Sequence, residues 1–245
     1  MDEQMAAKLK ALRLWWLRDH WDECVALAGK QRYSAMRLLD HVIEEEYRCR
    51  QDRARAFRLK RARIPEPFVM ATYPFSRQPK LDRKKVLAIY DSFDYMLKCR
   101  NVILVGPTGC GKTGLGTAYL TQAIERGHSG SFVRFSELIA ELYASVADHT
   151  QAKTLRRYAK FDCLLIDEVG YGDIEPAQAV LFFTLMQRRH RKKTTIITSN
   201  LGFRDWRKFL KNDHLTAALI DRLTEQSHVI NMRLCISLRA RLEDE

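Results

Sequence analysis

Gly106-Pro107-Thr108-Gly109-Cys110-Gly111-Lys112-Thr113 follows directly on an apolar, β-type run, Val102-Ile103-Leu104-Val105, and precedes a stretch of helical character from Leu115 to Glu125. It matches G-x-x-x-x-G-K-[ST] in full. Glycines at 106, 109 and 111 let the backbone turn tightly, so that successive N–H groups point into one concavity. With the N-terminus of the following helix behind it, that concavity suits a polyanion such as a nucleotide β-phosphate. The cradle is read as Gly106 to Gly114, with Lys112 reaching the β/γ-phosphates and the Thr113 hydroxyl ligating Mg²⁺. A glycine-rich turn with an accidental lysine is the bland alternative, and the flanking strand and helix count against it.

Downstream, the chain alternates between the two kinds of element. Strands are expected at 101–105, 131–135, 161–167, 194–199 and 228–232, with helices in the gaps. That alternation implies an α/β fold in which a parallel sheet is covered on both faces, with ligands at the carboxyl ends of the strands. Cys163-Leu-Leu-Ile-Asp167-Glu168 is a buried-strand run ending in two acids. Asp167 at the strand tip is expected to hold Mg²⁺ through water. Glu168, facing the other way, is expected to polarise an attacking water. Thr194-Thr-Ile-Ile-Thr-Ser-Asn200 ends in an amide that can donate to one partner and accept from another. We expect it to lie between Glu168 and the γ-phosphate. Near Leu219-Ile-Asp-Arg222-Leu, spacing leaves two readings for Arg222: a surface arginine, or a group reaching the phosphate held by a neighbouring subunit.

Upstream, residues 1–64 contain one glycine, Gly29, and no proline. Leu9, Leu12, Trp15, Trp16, Val25 and Leu27 predict one amphipathic helix. Met36 to Ile43 open a second, extending to about Arg63. Trp15, Trp16 and Trp21 read as packing rather than base stacking, with a neighbouring subunit as one surface they could cover. The tail of the second helix carries Arg48, Arg50, Arg53, Arg55, Arg58, Lys60, Arg61 and Arg63 with only Asp52 as a nearby acid. Surface helices normally interleave the two signs. This run reads either as a solvated face balanced by Glu44-Glu45-Glu46 or as a contact for nucleic-acid phosphates. Residues 65–100 hold four of the six prolines and read as a linker and a helix leading into the core at 101–245. Tyr73 and Phe75 in that linker are expected in the core rather than beside a base.

The net charge of +12 points to a polyanionic partner. Six cysteines without paired spacing read as reduced thiols in a cytoplasmic protein, and no apolar run is long enough for a membrane span.

With these residues assembled, the chain resembles the AAA+ ATPases and, more closely, the IstB/DnaC group. Asn101 to Thr113 is similar to that group's Walker A segment, Leu164-Leu-Ile-Asp-Glu-Val-Gly-Tyr171 to its Walker B segment, and Ile197-Thr-Ser-Asn200 to its sensor 1. Leu219-Ile-Asp-Arg-Leu223 resembles its arginine-finger box, and 138–158 its initiator-type insertion. The resemblance implies a P-loop AAA+ core with a five-stranded parallel sheet, preceded by a small all-α domain at 1–64 for DNA contact and oligomerisation. It also implies that Lys112, Glu168, Asn200 and Arg222 carry ATP hydrolysis.

The N-terminal layout resembles the IstB transposition helpers. That implies a homo-oligomer with ATP sites at subunit interfaces, gripping duplex DNA and assisting the transposase of the same mobile element. A DnaC-like helicase loader is the nearest alternative. A small-molecule kinase is disfavoured by Asp167-Glu168, and an ATP-glued scaffold by the intact Glu168. Three features depart from the group: Gly114-Leu-Gly116 at the helix start, Leu234-Cys-Ile-Ser-Leu-Arg239 in place of the usual Gly-x-Ser-Tyr-Arg, and Arg189-His190 before the fourth strand. Arg189 is one further candidate for action across an interface.

Overall fold

The structure, a computed structural model, describes residues 1–238, so Arg239 lies outside the described residues. It divides into two compact units, Met1–Phe57 and the chain from Arg58 onward.

The first unit is helical: α1 (Glu3–Ala11), α2 (Trp15–Asp19), α3 (Trp21–Gln31) and the start of α4 (Ala35–Ala62). One helix was expected where α1, α2 and α3 stand. The first break is a left-handed Arg13 (φ 60°) that lets Leu14 N–H reach Leu9 O and Arg13 N–H reach Lys10 O. This is the Schellman pattern, usually signalled by glycine; with arginine in its place the stop was invisible to a search for glycine. His20 makes the second break, its ring stacked on Trp16 at 5.2 Å. The tryptophans are half-buried within the unit itself. Trp15 lies under the guanidinium groups of Arg18 and Arg53, and Trp16 meets His41 edge-on. Buried Glu46 accepts the Leu17 N–H at 2.8 Å, tying α2 to α4.

The second unit continues with α5 (Arg83–Ser92), α6 (Asp94–Leu97), β1 (Val102–Val105), α7 (Lys112–Glu125), β2 (Gly130–Arg134), α8 (Phe135–Ala147), α9 (Gln151–Lys160), β3 (Cys163–Val169), α10 (Pro176–Arg189), β4 (Thr194–Ser199), α11 (Trp206–Leu210), α12 (Asp213–Thr224) and β5 (His228–Asn231). The five strands form one parallel sheet in the order β2-β3-β4-β1-β5. Alternate strand residues serve opposite faces, as the two-residue period requires. Val102, Leu104, Leu165, Ile196 and Ile230 pack with residues of α5 and α7. Ile103, Val105, Leu164, Ile166 and Ile197 pack with residues of α8, α10 and α12. Both faces are covered, which is why the strands read as unbroken apolar runs.

Gly116 acquires a reason here: a Cβ would stand 3.1 Å from Leu165 Cδ1, so its absence lets α7 lie close on the sheet. Arg189 is 1% exposed and donates to the carbonyls of Tyr158, Ala159, Phe161 and Thr194 and to Thr195 Oγ1. A guanidinium so enclosed does not act across an interface; it ties the ends of α9 and α10 to the start of β4. Among the described residues no helix is long and apolar enough to cross a membrane.

Candidate nucleotide site

The loop between β1 and α7 lies at the carboxyl end of the sheet, beside the ends of β3 and β4. Gly106 N–H donates to Ser199 O at 3.1 Å. A Cβ on Gly106 would stand 2.7 Å from Met232 O, so only glycine fits between β4 and the segment after β5. Gly109 and Gly111 take left-handed φ of 82° and 90°. Lys112 opens α7, and its ammonium folds back to donate to the Gly106 and Pro107 carbonyls at 2.8 and 2.7 Å. Those carbonyls hold the cation at the concavity the loop encloses.

Support comes from behind. The Tyr73 hydroxyl donates to Cys110 O at 3.1 Å, as does Gln78 Nε2 at 3.3 Å. Gln78 also exchanges two hydrogen bonds with the Ile236 backbone, and Leu238 N–H donates to Gly109 O at 2.8 Å. Burial raises the Tyr73 phenol well above its usual range, which keeps it a neutral donor. The Cys110 thiol is likewise buried and raised, so it is a packing group. The closing segment that departs from the family's pattern therefore still braces the loop. Tyr73, expected in the core, is buried and also bonds to the loop.

At the opposite wall, Asp167 is 3% exposed and accepts from the hydroxyls of Thr113 (3.0 and 3.1 Å) and Thr198. Among the described residues it has no ion-pair partner. A buried carboxylate whose hydrogen-bond partners are neutral hydroxyls is costly without a cation, and Thr113-Asp167 is an oxygen donor set of the kind Mg²⁺ takes beside nucleotide phosphates. The residues fit the metal.

β3 runs two residues further than expected, to Val169, through a register shift against β4 between Ile166 and Val169. Inside that irregularity Glu168 adopts φ 61°, a conformation strained for a non-glycine residue. Its N–H donates to Thr198 Oγ1 at 2.9 Å. The kink sends the Glu168 side chain out to solvent while Asp167 stays buried, and bulges commonly re-aim a side chain in this way beside active sites. Glu168 lines a cavity of about 160 Å³ with Thr108, Gly109, Gly111, Lys112, Thr113, Tyr171 and Thr198.

Asn200 is not among that lining. Its Oδ1 is buried and, among the described residues, without a hydrogen-bond partner, packed beside Gly170 at the root of the loop after β3. Thr198, two residues earlier, is the β4 residue that touches both acids. Thr198 and Tyr171 fall within the quoted motifs, but the sequence reading gives neither a role; for Thr198 strand alternation, which turns it the opposite way from 197 and 199, was the available signal. Arg222 is half-buried on α12, donating to Ala218 O at 2.9 Å with its guanidinium 4.9 Å over the Phe183 ring. It does not line its own chain's cavity.

The basic run is not uniform. Arg48 pairs with Glu44 and Glu45, Arg53 with Asp19, and Arg58 donates to Ile124 O. Arg50, Arg55 and Lys60 are exposed. Arg61 and Arg63 line a cleft of about 450 Å³ with Arg134, Arg157, Phe132, Tyr158, Glu137 and Glu141 among others, and the two glutamates pair with Arg134 and Arg157.

Solved structures carry the same fold. DnaI aligns with a TM-score of 0.55 at 24% identity over 61% of this chain and 84% of its own. The DnaC helicase loader aligns at 0.53 and 21%, over 61% and 87%. The replication initiator DnaA, bound to AMPPCP and single-stranded DNA, aligns at 0.51 and 18%, over 62% and 46%. At these identities the likeness concerns the AAA+ fold alone. Among sequences, the ATP-binding protein ascribed to insertion sequence IS21 of Pseudomonas aeruginosa is 31% identical over 94% of this chain and 86% of its own length. That ascribed to IS232 of Bacillus thuringiensis subsp. berliner is 26% identical over 94% and 92%. The family model described as IstB-like ATP binding protein matches residues 7–243. A phosphate-cradling loop, two acids at the end of β3 and a match along nearly the whole chain lead to one conclusion: this chain belongs to the IstB-like ATP-binding protein family.

Proposed function

We propose that the chain is an ATP-hydrolysing, DNA-binding AAA+ subunit that assembles in copies on duplex target DNA and assists the transposase of the same mobile element. The observation that carries the enzymatic part is the strained Glu168 beside buried Asp167 and its half-buried partner Thr113. Backbone strain of this kind persists where the surroundings over-determine it, and at the mouth of a phosphate cavity it presents a carboxylate to water. Thr113 and Asp167 would hold Mg²⁺, which supplies neutralisation of the phosphate charge. The loop amides and Lys112 orient the phosphates, and Glu168 Oε takes the proton of the attacking water. Arg222 acts on the nucleotide of an adjoining copy, a reading supported by its absence from the lining of its own chain's cavity. The exposed arginines of α4 and the Arg61–Arg63 cleft support contact with DNA phosphates.

The test is Glu168→Gln. We expect ATP binding to persist, turnover to cease and the protein to be retained on duplex DNA. Hydrolysis at the wild-type rate in that variant overturns the role of Glu168.

A further inference from the structure

At the far end of the Leu164–Tyr171 segment, one side chain faces the phosphate cavity beyond the two acids. The Tyr171 hydroxyl is hydrogen-bonded to Thr108 Oγ1, joining the loop after β3 to the loop after β1 across the cavity. Tyr171 is 42% exposed, so this bond is not a by-product of core packing. Its backbone is a short arm with a fixed root. Tyr171 N–H donates to Glu168 O at 3.3 Å, and a Cβ on Gly170 would stand 2.7 Å from the Leu201 side chain. Beyond it, Gly172 has φ 75° and, among the described residues, nothing within 4 Å of where its Cβ would be. The root is wedged against β4's end, and the far side is open.

The cavity is directional. The amides of Gly109 to Lys112 form one end, where the first phosphates of a nucleotide would lie. Thr113 and Glu168 mark the other, where the terminal phosphate and the attacking water would meet. Tyr171 stands one tight turn from Glu168, at that second end. A phenol O–H can donate to a phosphate oxygen, and a charge-assisted bond of this kind exceeds the neutral one it makes with Thr108. A diphosphate resting on the amides leaves the phenol with its threonine partner.

We propose that the Tyr171 hydroxyl leaves Thr108 to donate to the terminal phosphate, making Tyr171 the residue by which the site distinguishes a triphosphate from a diphosphate. This rests on the nucleotide-site reading above. The experiment titrates fluorescent ATP and ADP analogues onto the full chain in the Glu168→Gln background, with and without Tyr171→Phe, and records melting temperatures of both proteins. We expect Tyr171→Phe to weaken ATP about tenfold or more, the scale of removing a hydrogen bond to a charged group. ADP affinity should stay within about twofold, and the melting temperature should not move. Equal weakening of both nucleotides, or unchanged ATP affinity, overturns the proposal while leaving the nucleotide site intact. If the Glu168→Gln parent binds neither nucleotide, the site reading itself falls and takes the proposal with it.

Discussion

Thr198→Val removes one oxygen and little else, and the structure sets its cost. Thr198 Oγ1 donates to Asp167 Oδ1 and accepts from Glu168 N–H at 2.9 Å. The first bond ends on a buried carboxylate, worth about 1.5–3 kcal/mol; the second is a neutral bond worth about 1 kcal/mol. Taken as additive, their removal destabilises the larger unit by roughly 2.5–4 kcal/mol, because valine fills the same volume but satisfies neither group. For a unit of this size that corresponds to a melting point lower by roughly 5–15 °C. Turnover should fall further than nucleotide affinity, since the bond to Glu168 N–H is what pins its left-handed backbone. Thr198→Ser should restore both. Urea unfolding, with ATP binding and hydrolysis measured on the same preparations, checks each part. A Thr198→Val protein within about 0.5 kcal/mol of wild type, hydrolysing ATP normally, would refute the claim that this hydroxyl organises the two acids.

Neutralising exposed Arg50, Arg61 and Arg63 together should flatten the salt dependence of duplex DNA binding by roughly 0.9 unit for each DNA phosphate left without its arginine; an unchanged slope returns them to a solvated face. Arg58→Ala should instead register as reduced stability, because Arg58 is half-buried and bonded to Ile124 O. Mixing Arg222→Ala with Lys112→Ala subunits should regenerate hydrolysis if the arginine serves a neighbour's site, and no recovery counts against action between copies. Burial raises the Asp162 carboxyl, but hydrogen bonds from Lys193 and Ser129 outweigh it and hold the group at about 2. A carboxyl lowered on folding contributes stability above its unfolded pKa of about 3.9 and loses it as pH falls toward 2. Asp162→Asn should therefore blunt acid unfolding across that window, as followed by circular dichroism.

The fold was legible because its signals are local. Five apolar runs with intervening helical stretches suffice for a parallel sheet, and Gly106 to Thr113 and Asp167-Glu168 fall where spacing put them. What escaped depends on chain segments distant in sequence. Tyr73 and Gln78 meet Cys110 across 37 and 32 residues, and Gln78 meets Ile236 across 158, so no window of sequence holds the loop's bracing. The left-handed Glu168 follows from how β3 and β4 fall out of register, which composition does not encode. Arg189 was misread because a buried guanidinium among carbonyls looks, as text, like any surface arginine at a helix end. The N-terminal helices divide at Arg13 and His20, residues that carry none of the turn chemistry a sequence search looks for.

The backing of the phosphate loop has a mechanical corollary. Residues 73–78 and 235–238 come from opposite flanks of the larger unit, yet both clamp the backbone of Gly109–Cys110. Tension applied to the chain at Leu238 thus arrives at the loop directly through the Leu238 N–H on Gly109 O and indirectly through Gln78, which holds both Ile236 and Cys110. A polypeptide cut after Met232 would retain every strand of the sheet, yet its phosphate cradle would be slack on one side. Its far-ultraviolet spectrum would scarcely change while its grip on nucleotide weakened.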